Sequence, residues 1–501
     1  MTALIKKIKS LSQFKLNTLA NYAGRFWLNL LSFLLVPVYL HYLGVEAYGL
    51  IGAFYAVISF INLLDLGLST TVSREVALRK GVSQKRETIP DLLRTTEIIY
   101  WTVGAAILLL MVLLADLIAI KWINVEKLDL VTVKWTVIIL GLTVAVRWPI
   151  TLYRSTLMAL EKQVQVNILE VTLRTFRELG AVLVLVMVSP TIPAFLLWQV
   201  FIAIIEVFSM MMLAWHYQPK IGKQAHFQLQ ILQEIWRFAV GISWNMVVSL
   251  LLSQIDKIIL SKLVSLEEFG YYILASTLSQ RLSTIIEPFF ISASPQLIAL
   301  ISKKDEEKYS HFFHKSSLFV SLVITPIAAA FIFFAPIILE LWTQSSNVAT
   351  KASSILAILT FGAMLNCMSH ISYEILIAIG KPQTAAIFNT FSIFFIIPTM
   401  LLVVPHYQLF GTAIIRTILN ILYYSVFSIV AIGYILPKER LQWLLQDTLV
   451  PIILCFTMCF AIAHLQMVFI GKQGAIFCMV IGLLINYGLL GCWYYYQQKI
   501  A

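Results

Sequence analysis

The stretch LGVEAYGLIGAFYAVISFINLLDLGLSTTVSREVALRK, from Leu43 to Lys80, holds a short turn, an apolar helix with one acid in it, and a basic exit. The same features return 221 residues later: Val45-Glu46-Ala47-Tyr48-Gly49 falls on Leu266-Glu267-Glu268-Phe269-Gly270, ahead of another apolar helix and a lysine-rich loop. The register can be followed further. Arg94-Thr95-Thr96 falls on Lys315-Ser316-Ser317 at 221, Ala115–Trp122 on Ala335–Trp342 at 220, Leu157–Lys162 on Leu376–Lys381 at 219 and Pro219 on Pro437 at 218. So slow a drift marks one repeated unit. Each copy holds an even number of membrane helices, so the two copies share one orientation and an axis along the membrane normal, as in parallel-repeat transporters.

Composition says what surrounds the repeat. Of 501 residues, 60% are hydrophobic and 12% charged, and the mean hydropathy is +0.87. A soluble domain carries about 25% charged residues, so most of this chain is expected in lipid. Apolar runs long enough to cross a bilayer fall at 17–41, 47–73, 94–120, 132–158, 163–188, 192–216, 232–262, 268–300, 312–340, 351–379, 383–404, 409–434, 447–470 and 474–496. The expectation is an all-α integral membrane protein of fourteen transmembrane helices. Two six-helix lobes, 17–219 and 220–437, surround a central cavity; 438–501 adds two helices and 1–16 an interfacial segment. The connecting loops are too short for a soluble catalytic domain.

The net charge of +11 is topological. Loops on one side hold 21 of the 36 Lys and Arg, including Lys6, Lys7, Lys9, Arg79, Lys80, Lys303, Lys304 and Lys438, whereas opposite loops hold six. By the positive-inside rule both termini lie in the cytoplasm, and the basic surplus calls for lipid headgroups rather than nucleic acid. Met1–Gln13 lacks the apolar core and cleavage site of a signal peptide; it reads either as a helix on the inner leaflet or as a basic tail. Cys367, Cys455, Cys459, Cys478 and Cys492 all fall in spans. Cys455, Cys459 and His464 are too few to hold a metal, and the cysteines read as buried structural thiols.

Charges within spans are the functional candidates, because a charge at mid-bilayer costs about 2.5–3.5 kcal/mol on insertion scales. Asn17, Asn21, Arg25 and Asn29 recur at i+4 and give the first helix a polar face; Arg237, Gly241, Asn245, Ser249, Ser253 and Asp256 do the same for the seventh. A cavity shared by both helices and polar glue between helices are the two readings, and Arg25 favours the first. Arg147 and Arg154 stand seven apart on the fourth span. On the fifth, Glu170, Arg174, Arg177 and Glu178 are spaced for Glu170–Arg174 and Arg174–Glu178 pairs, as a structural network or as a ligand site. Arg147 has no acid near it in sequence, which makes it the better ligand candidate. Glu206 and Glu287 are further acids in spans. Arginine suits phosphate because its planar fork donates two parallel hydrogen bonds. Asp65, Glu374 and Asp256 are candidates for coupling to an ion.

The N-terminal segment from Asn17 to Ala77 resembles that of the bacterial polysaccharide transporter family, which includes the O-antigen flippases. The LGxxxYG turn at Leu43–Gly49, Asp65-Leu66-Gly67 and Arg74-Glu75 carry the likeness. That family stands with lipid II flippases and multidrug extrusion carriers in one superfamily of multidrug, oligosaccharidyl-lipid and polysaccharide exporters. The resemblance implies a flippase, not an enzyme, in the bacterial inner membrane. It would move an undecaprenyl-diphosphate-linked oligosaccharide from the cytoplasmic to the periplasmic leaflet by alternating access, for O-antigen-type lipopolysaccharide synthesis. It implies no cofactor beyond a coupling H+ or Na+, and as partners membrane lipids and the polymerase and chain-length proteins of polysaccharide assembly. Arg25 matches the family's cavity arginine; Arg147 and Arg237 are suggested by position. Two alternatives remain. A multidrug or cation antiporter would need acids to dominate the cavity. A membrane polysaccharide polymerase would need a large loop bearing catalytic groups, and no DxD, HExxH or phosphate-cradling loop is present.

Overall fold

A computed structural model describes residues 13–61, 65, 67–81, 86–126, 128–219, 224–303, 305–466 and 472–500, without the side chains of 13–23, 25, 54, 57–61, 234–246, 465–466, 472–473, 475 and 496–500. It is all-helical. Among the described residues the only strand-like pairing is an isolated bridge between Asn124 and Ser265, and ten helical stretches are long and apolar enough to cross a membrane. The proposed interfacial segment 1–16 lies almost wholly outside the described residues.

The chain forms two compact units. The first comprises Met1–Gln254 with Ser265–Glu267, the second Ile255–Val264 with Glu268–Ala501. The first holds α1 (Gln13–Ile61), α2 (Leu68–Gly81), α3 (Ile89–Leu117), α4 (Leu130–Arg147), α5 (Ile150–Ala159), α6 (Gln163–Met187), α7 (Ile192–His216) and the start of α8 (Leu229–Leu263). The second holds α9 (Leu266–Ser279), α10 (Arg281–Ser302), α11 (Glu306–Phe333), α12 (Ala335–Thr343), α13 (Ser346–Ala378), α14 (Pro382–Leu422), α15 (Ser428–Ile432), α16 (Arg440–Gln442), α17 (Val450–Gln466) and α18 (Lys472–Ile500).

Several spans that read as continuous are broken, and local chemistry explains where. The 49-residue α1 turns at Gly44 (φ 82), a conformation glycine adopts without a Cβ clash. Of the span expected at 47–73, α1 describes the part up to Ile61 and α2 the part from Leu68, with Gly67 at φ 74. Asp65 lies in a 3-10 turn just before α2. Its Oδ2 accepts from Ser69 N (3.3 Å) and Ser69 Oγ (2.7 Å), which caps the start of α2. The span at 132–158 breaks at Trp148-Pro149, the one at 268–300 at Gln280, and the one at 312–340 at Phe334. Proline explains the first, since it cannot donate to the helix ladder. The 41-residue α14 is kinked at Gln408 (φ 45), just after Pro405. Glu46 is buried in the turn after Gly44, where its Oε1 accepts Glu126 N–H at 2.7 Å.

The core of the first unit gathers Leu50, Val72, Leu92, Tyr100, Val137, Tyr153 and Val207. The outside is apolar too: Leu109, Leu113, Phe176, Met187, Phe391, Phe394 and Leu402 are exposed. In water so much exposed large apolar side chain would aggregate; in lipid it is solvated. Four of the five cysteines are buried, but Cys492 is exposed, contrary to its reading as a buried thiol. All five are free, and no group of three or more metal-ligating side chains occurs among the described residues.

The internal repeat extends to single hydrogen bonds. At the end of α5, Glu161 is left-handed (φ 62), Lys162 N donates to Leu157 O (2.9 Å) and Glu161 N to Met158 O (3.0 Å). At the end of α13, Gly380 is left-handed (φ 71), Lys381 N donates to Leu376 O (2.8 Å) and Gly380 N to Ile377 O (3.0 Å). Both are Schellman-type closures, and every atom pair is related by the same shift of 219. The lysine that follows covers a tyrosine ring each time, Lys162 over Tyr217 at 4.4 Å and Lys381 over Tyr434 at 4.0 Å.

Candidate functional site

The first unit gathers its buried charge where α1, α4, α6 and α7 meet. Two features set the scaffold. The α4–α5 break leaves Arg147 in the last turn of α4, where a cation complements the helix dipole. Gly180 lets α7 lie so close on α6 that a Cβ there would stand 2.1 Å from the Trp198 ring, and Trp198 Nε1 donates to Arg177 O at 3.0 Å.

Glu206 of α7, almost fully buried, then lies between two guanidinium groups: Oε2 is 3.6 Å from Arg147 Nη2 and 3.7 Å from Arg177 Nη1. Neither is a hydrogen-bond distance, and Glu206 Oε2 and Arg177 Nη1 have no hydrogen-bond partner among the described residues. Glu178 is held differently. Its Oε2 accepts Tyr39 O–H at 2.7 Å, and its Oε1 is 3.6 Å from Arg177 Nε. Arg174 lies one turn before Arg177 on α6, and its buried Nε has no partner among the described residues. Among those residues three guanidiniums thus stand with two carboxylates, with donors to spare. Arg147 is also 30% exposed, so the cluster opens outward through it.

The pairs expected along α6 do not form. Glu170 pairs with Arg154 at 3.2 Å, and Glu178 with Tyr39 and Arg177, which leaves Arg174 without an ion pair among the described residues. Cross-helix partners were closer to these acids than their own neighbours. Arg147 does have an acid, Glu206, but 59 residues away in sequence, and no pattern pointed to it or to Tyr39.

On the polar face of the first helix, the side chains of Asn21 and Arg25 lie outside the described residues, as do those of Arg237 and Asn245 on α8. The backbone of α1 packs against α6: a Cβ on Gly24 would meet Val171 Cγ2 at 2.7 Å, and Trp27 Nε1 donates to Thr175 Oγ1 at 2.9 Å. Asn29 is half-buried beside that contact.

Of the acids singled out for ion coupling, Asp65 belongs to the first unit and Glu374 and Asp256 to the second. Besides Ser69, Asp65 accepts a hydrogen bond from Tyr100. In the second unit, Glu374 is buried, accepts from Ser294 and lies 3.6 Å from His370 Nδ1, whose ring stacks on Phe290. Asp256 is buried and accepts Tyr272 O–H at 2.5 Å, while its Oδ1 has no partner among the described residues.

With this geometry in hand, comparison places the chain. The family model described as "Polysaccharide biosynthesis protein" matches residues 42–346. The chain belongs to that family. It is similar to the "Putative O-antigen transporter" of Shigella flexneri, 21% identical over 384 residues that cover 76% of this chain and 89% of the relative. Among solved structures, the lipid II flippase MurJ in an inward closed conformation superposes with a TM-score of 0.73 at 15% identity, covering 97% of this chain and 100% of that one. An inward-facing multidrug resistance MATE family transporter of the MOP superfamily superposes at 0.60, also at 15% identity, covering 84% and 96%. At such identities the structures establish the fold. This family member is therefore an all-helical, multi-pass membrane protein with the architecture of the lipid flippases and multidrug carriers, and none of these relatives is described as an enzyme.

Proposed function

We propose that the chain is a flippase for an undecaprenyl-diphosphate-linked oligosaccharide, carrying it from the cytoplasmic to the periplasmic leaflet of the bacterial inner membrane by alternating access. The observation that carries this reading is the arginine cluster. Among the described residues Arg147, Arg174 and Arg177 outnumber Glu178 and Glu206, and buried donors on Arg174 and Arg177 have no acceptor. Burying net charge with unused donors is costly, and a diphosphate supplies the acceptors and the negative charge that are missing. Family membership and the likeness to the O-antigen transporter of Shigella flexneri support the same substrate class. Arg25, Asn21, Asn29, Arg237 and Asn245 extend the contact surface in this reading, and Arg154 marks its exposed edge. Glu374 and Asp256 would carry a coupling proton or sodium ion, because both are buried acids with incomplete or neutral partners; Asp65, with three donors and a capping role, is the weakest of the three.

Export of surface glycan is the test. In cells whose own flippase is deleted, the chain restores export, Arg147→Gln and Arg25→Ala abolish it, and both variants accumulate in the membrane. Normal export by Arg147→Gln and Arg25→Ala would overturn the assignment. Transport by the purified protein in liposomes then reports on coupling: insensitivity to proton and sodium gradients removes Glu374 and Asp256 from the mechanism.

A further inference from the structure

The buried acids of this chain are held in two ways, and one of them stands apart. Glu97 is saturated: Oε1 accepts from Tyr153 O–H (2.7 Å) and Trp215 Nε1 (3.1 Å), and Oε2 from Arg94 Nη1 (2.8 Å). Glu178 accepts from Tyr39, Asp256 from Tyr272, and Glu374 from Ser294. Glu206, with 1% of its surface exposed, has a carboxylate oxygen equidistant from Arg147 and Arg177 and hydrogen-bonded to neither. Charge alone holds it there. A carboxylate tied by hydrogen bonds resists displacement, whereas one held by Coulomb attraction at 3.6–3.7 Å can be outcompeted by an anion with more acceptors and more charge.

From this we propose that Glu206 is the resident counter-anion of the site, a stand-in for the phosphate groups of the ligand that sets how tightly a diphosphate binds and lets it leave. In the empty site Glu206 offsets part of the charge that Arg147 and Arg177 bring together between the helices. When a diphosphate arrives, its oxygens take the hydrogen bonds that Glu206 never made, and also those of Arg174 Nε. The carboxylate remains next to the bound dianion and repels it, which keeps affinity low and release fast. A carrier needs that balance, because each tight contact made on one side must be broken on the other. Glu206 is thus a positioning and release residue and not a ligand contact. This inference rests on the flippase reading.

The experiment uses the full chain in lipid nanodiscs with two probes, inorganic pyrophosphate and farnesyl diphosphate, which separate a free anion from one carried on a prenyl tail. Wild type binds farnesyl diphosphate, and Arg147→Gln weakens that binding about tenfold or more. Glu206→Gln, which keeps shape and removes charge, tightens it about tenfold or more, with slower glycan export despite the tighter binding. Unchanged or weaker binding by folded Glu206→Gln overturns the inference. If Glu206→Gln does not accumulate, Glu206→Asp decides, since it withdraws the carboxylate by one methylene: tighter binding than wild type supports the role, and equal or weaker binding ends it. Arg147-dependent binding with no gain in either Glu206 variant sinks this inference alone. Absence of any Arg147-dependent binding by wild type to either probe sinks the flippase reading with it. Tightening for pyrophosphate alone would show a free-anion site and overturn the carrier role.

Discussion

The two units share a backbone and differ in the charge they bury. The closure at Leu157–Lys162 and the one at Leu376–Lys381 match hydrogen bond for hydrogen bond, down to the lysine over a tyrosine. Within the membrane helices the likeness stops. The first unit sets three partly exposed arginines against two glutamates, with donors unused among the described residues, while the second buries Asp256 and Glu374 against tyrosine and serine hydroxyls. Backbone geometry is retained because a turn has few solutions. Buried charge is free to diverge because its cost is met by whatever partner packs opposite, whether protein or ligand.

The sharpest way to break this comparison is to remove the cationic excess. The double variant Arg147→Gln/Arg177→Gln leaves Glu206 and Glu178 without guanidinium partners and inverts the sign of the cluster. Surface glycan should fall about tenfold or more at equal membrane abundance. The matching change in the second unit, Tyr272→Phe, leaves buried Asp256 without the tyrosine hydroxyl that donates to it and costs about 1–3 kcal/mol of stability, read as a lower unfolding midpoint in detergent. If Tyr272→Phe abolished export at unchanged stability, the second unit's acids would be functional on a par with the arginines.

A second comparison concerns close helix contacts. Gly141 and Gly362 are 221 residues apart, on α4 and α13. A Cβ at Gly141 would meet Met111 Cβ at 2.6 Å; one at Gly362 would meet Thr417 Oγ1 at 2.9 Å and Thr417 Cα at 3.1 Å. Both neighbours are at or next to the backbone and cannot retreat. Alanine at either position should cost about 1–3 kcal/mol by overpacking, and tolerance of one would show that the repeat does not extend to interior packing.

Much of this fold was legible. The apolar runs located the helices, and the drift from 221 to 218 revealed a repeat whose 219-residue register reappears in the turn hydrogen bonds. The breaks were less visible, because apolar content does not change across Gly67, Pro149 or Gln280; only Pro149 carries a strong local signal. The site was half legible. Arg147, Arg154 and Arg174 were recognisable from the cost of a cation in lipid. Their partners were not, since Tyr39 and Glu206 come from helices far away in sequence and pairing across helices has no fixed spacing. For the same reason the i+4 rule misassigned Glu170 and Glu178.

The two matched turns carry the next prediction. Glu161 occupies a left-handed conformation that costs a residue with a Cβ about 1 kcal/mol, whereas Gly380 adopts it freely. Glu161→Gly should therefore stabilise by about 0.5–1 kcal/mol, since the Lys80–Glu161 pair it removes (3.0 Å) is exposed on the glutamate side and contributes little. Gly380→Ala should destabilise by a similar amount. Opposite signs in paired melts would confirm that the two closures are the same object in two sequences.

The smallest effect falls where the fold meets water. Asp129 caps α4 by accepting Thr132 N–H at 2.9 Å, and hydrogen bonds from the Thr132 side chain and then from that N–H hold its carboxyl below the usual aspartate range. A depressed folded-state value means that the cap contributes above the unfolded-state pKa of about 3.9 and is lost as pH falls through the folded value. Asp129→Ala should lower the melting midpoint slightly at pH 7, and the gap between variant and wild type should close as the buffer is taken below about pH 4. Asp305 caps α11 by accepting Lys308 N–H at 3.3 Å, and its carboxyl is lowered first by the Lys308 ammonium at 2.6 Å and then by that N–H. The corresponding variant should follow the same profile in the second unit. A gap that persisted at low pH would mean that these caps act through helix-start geometry alone and not through their charge.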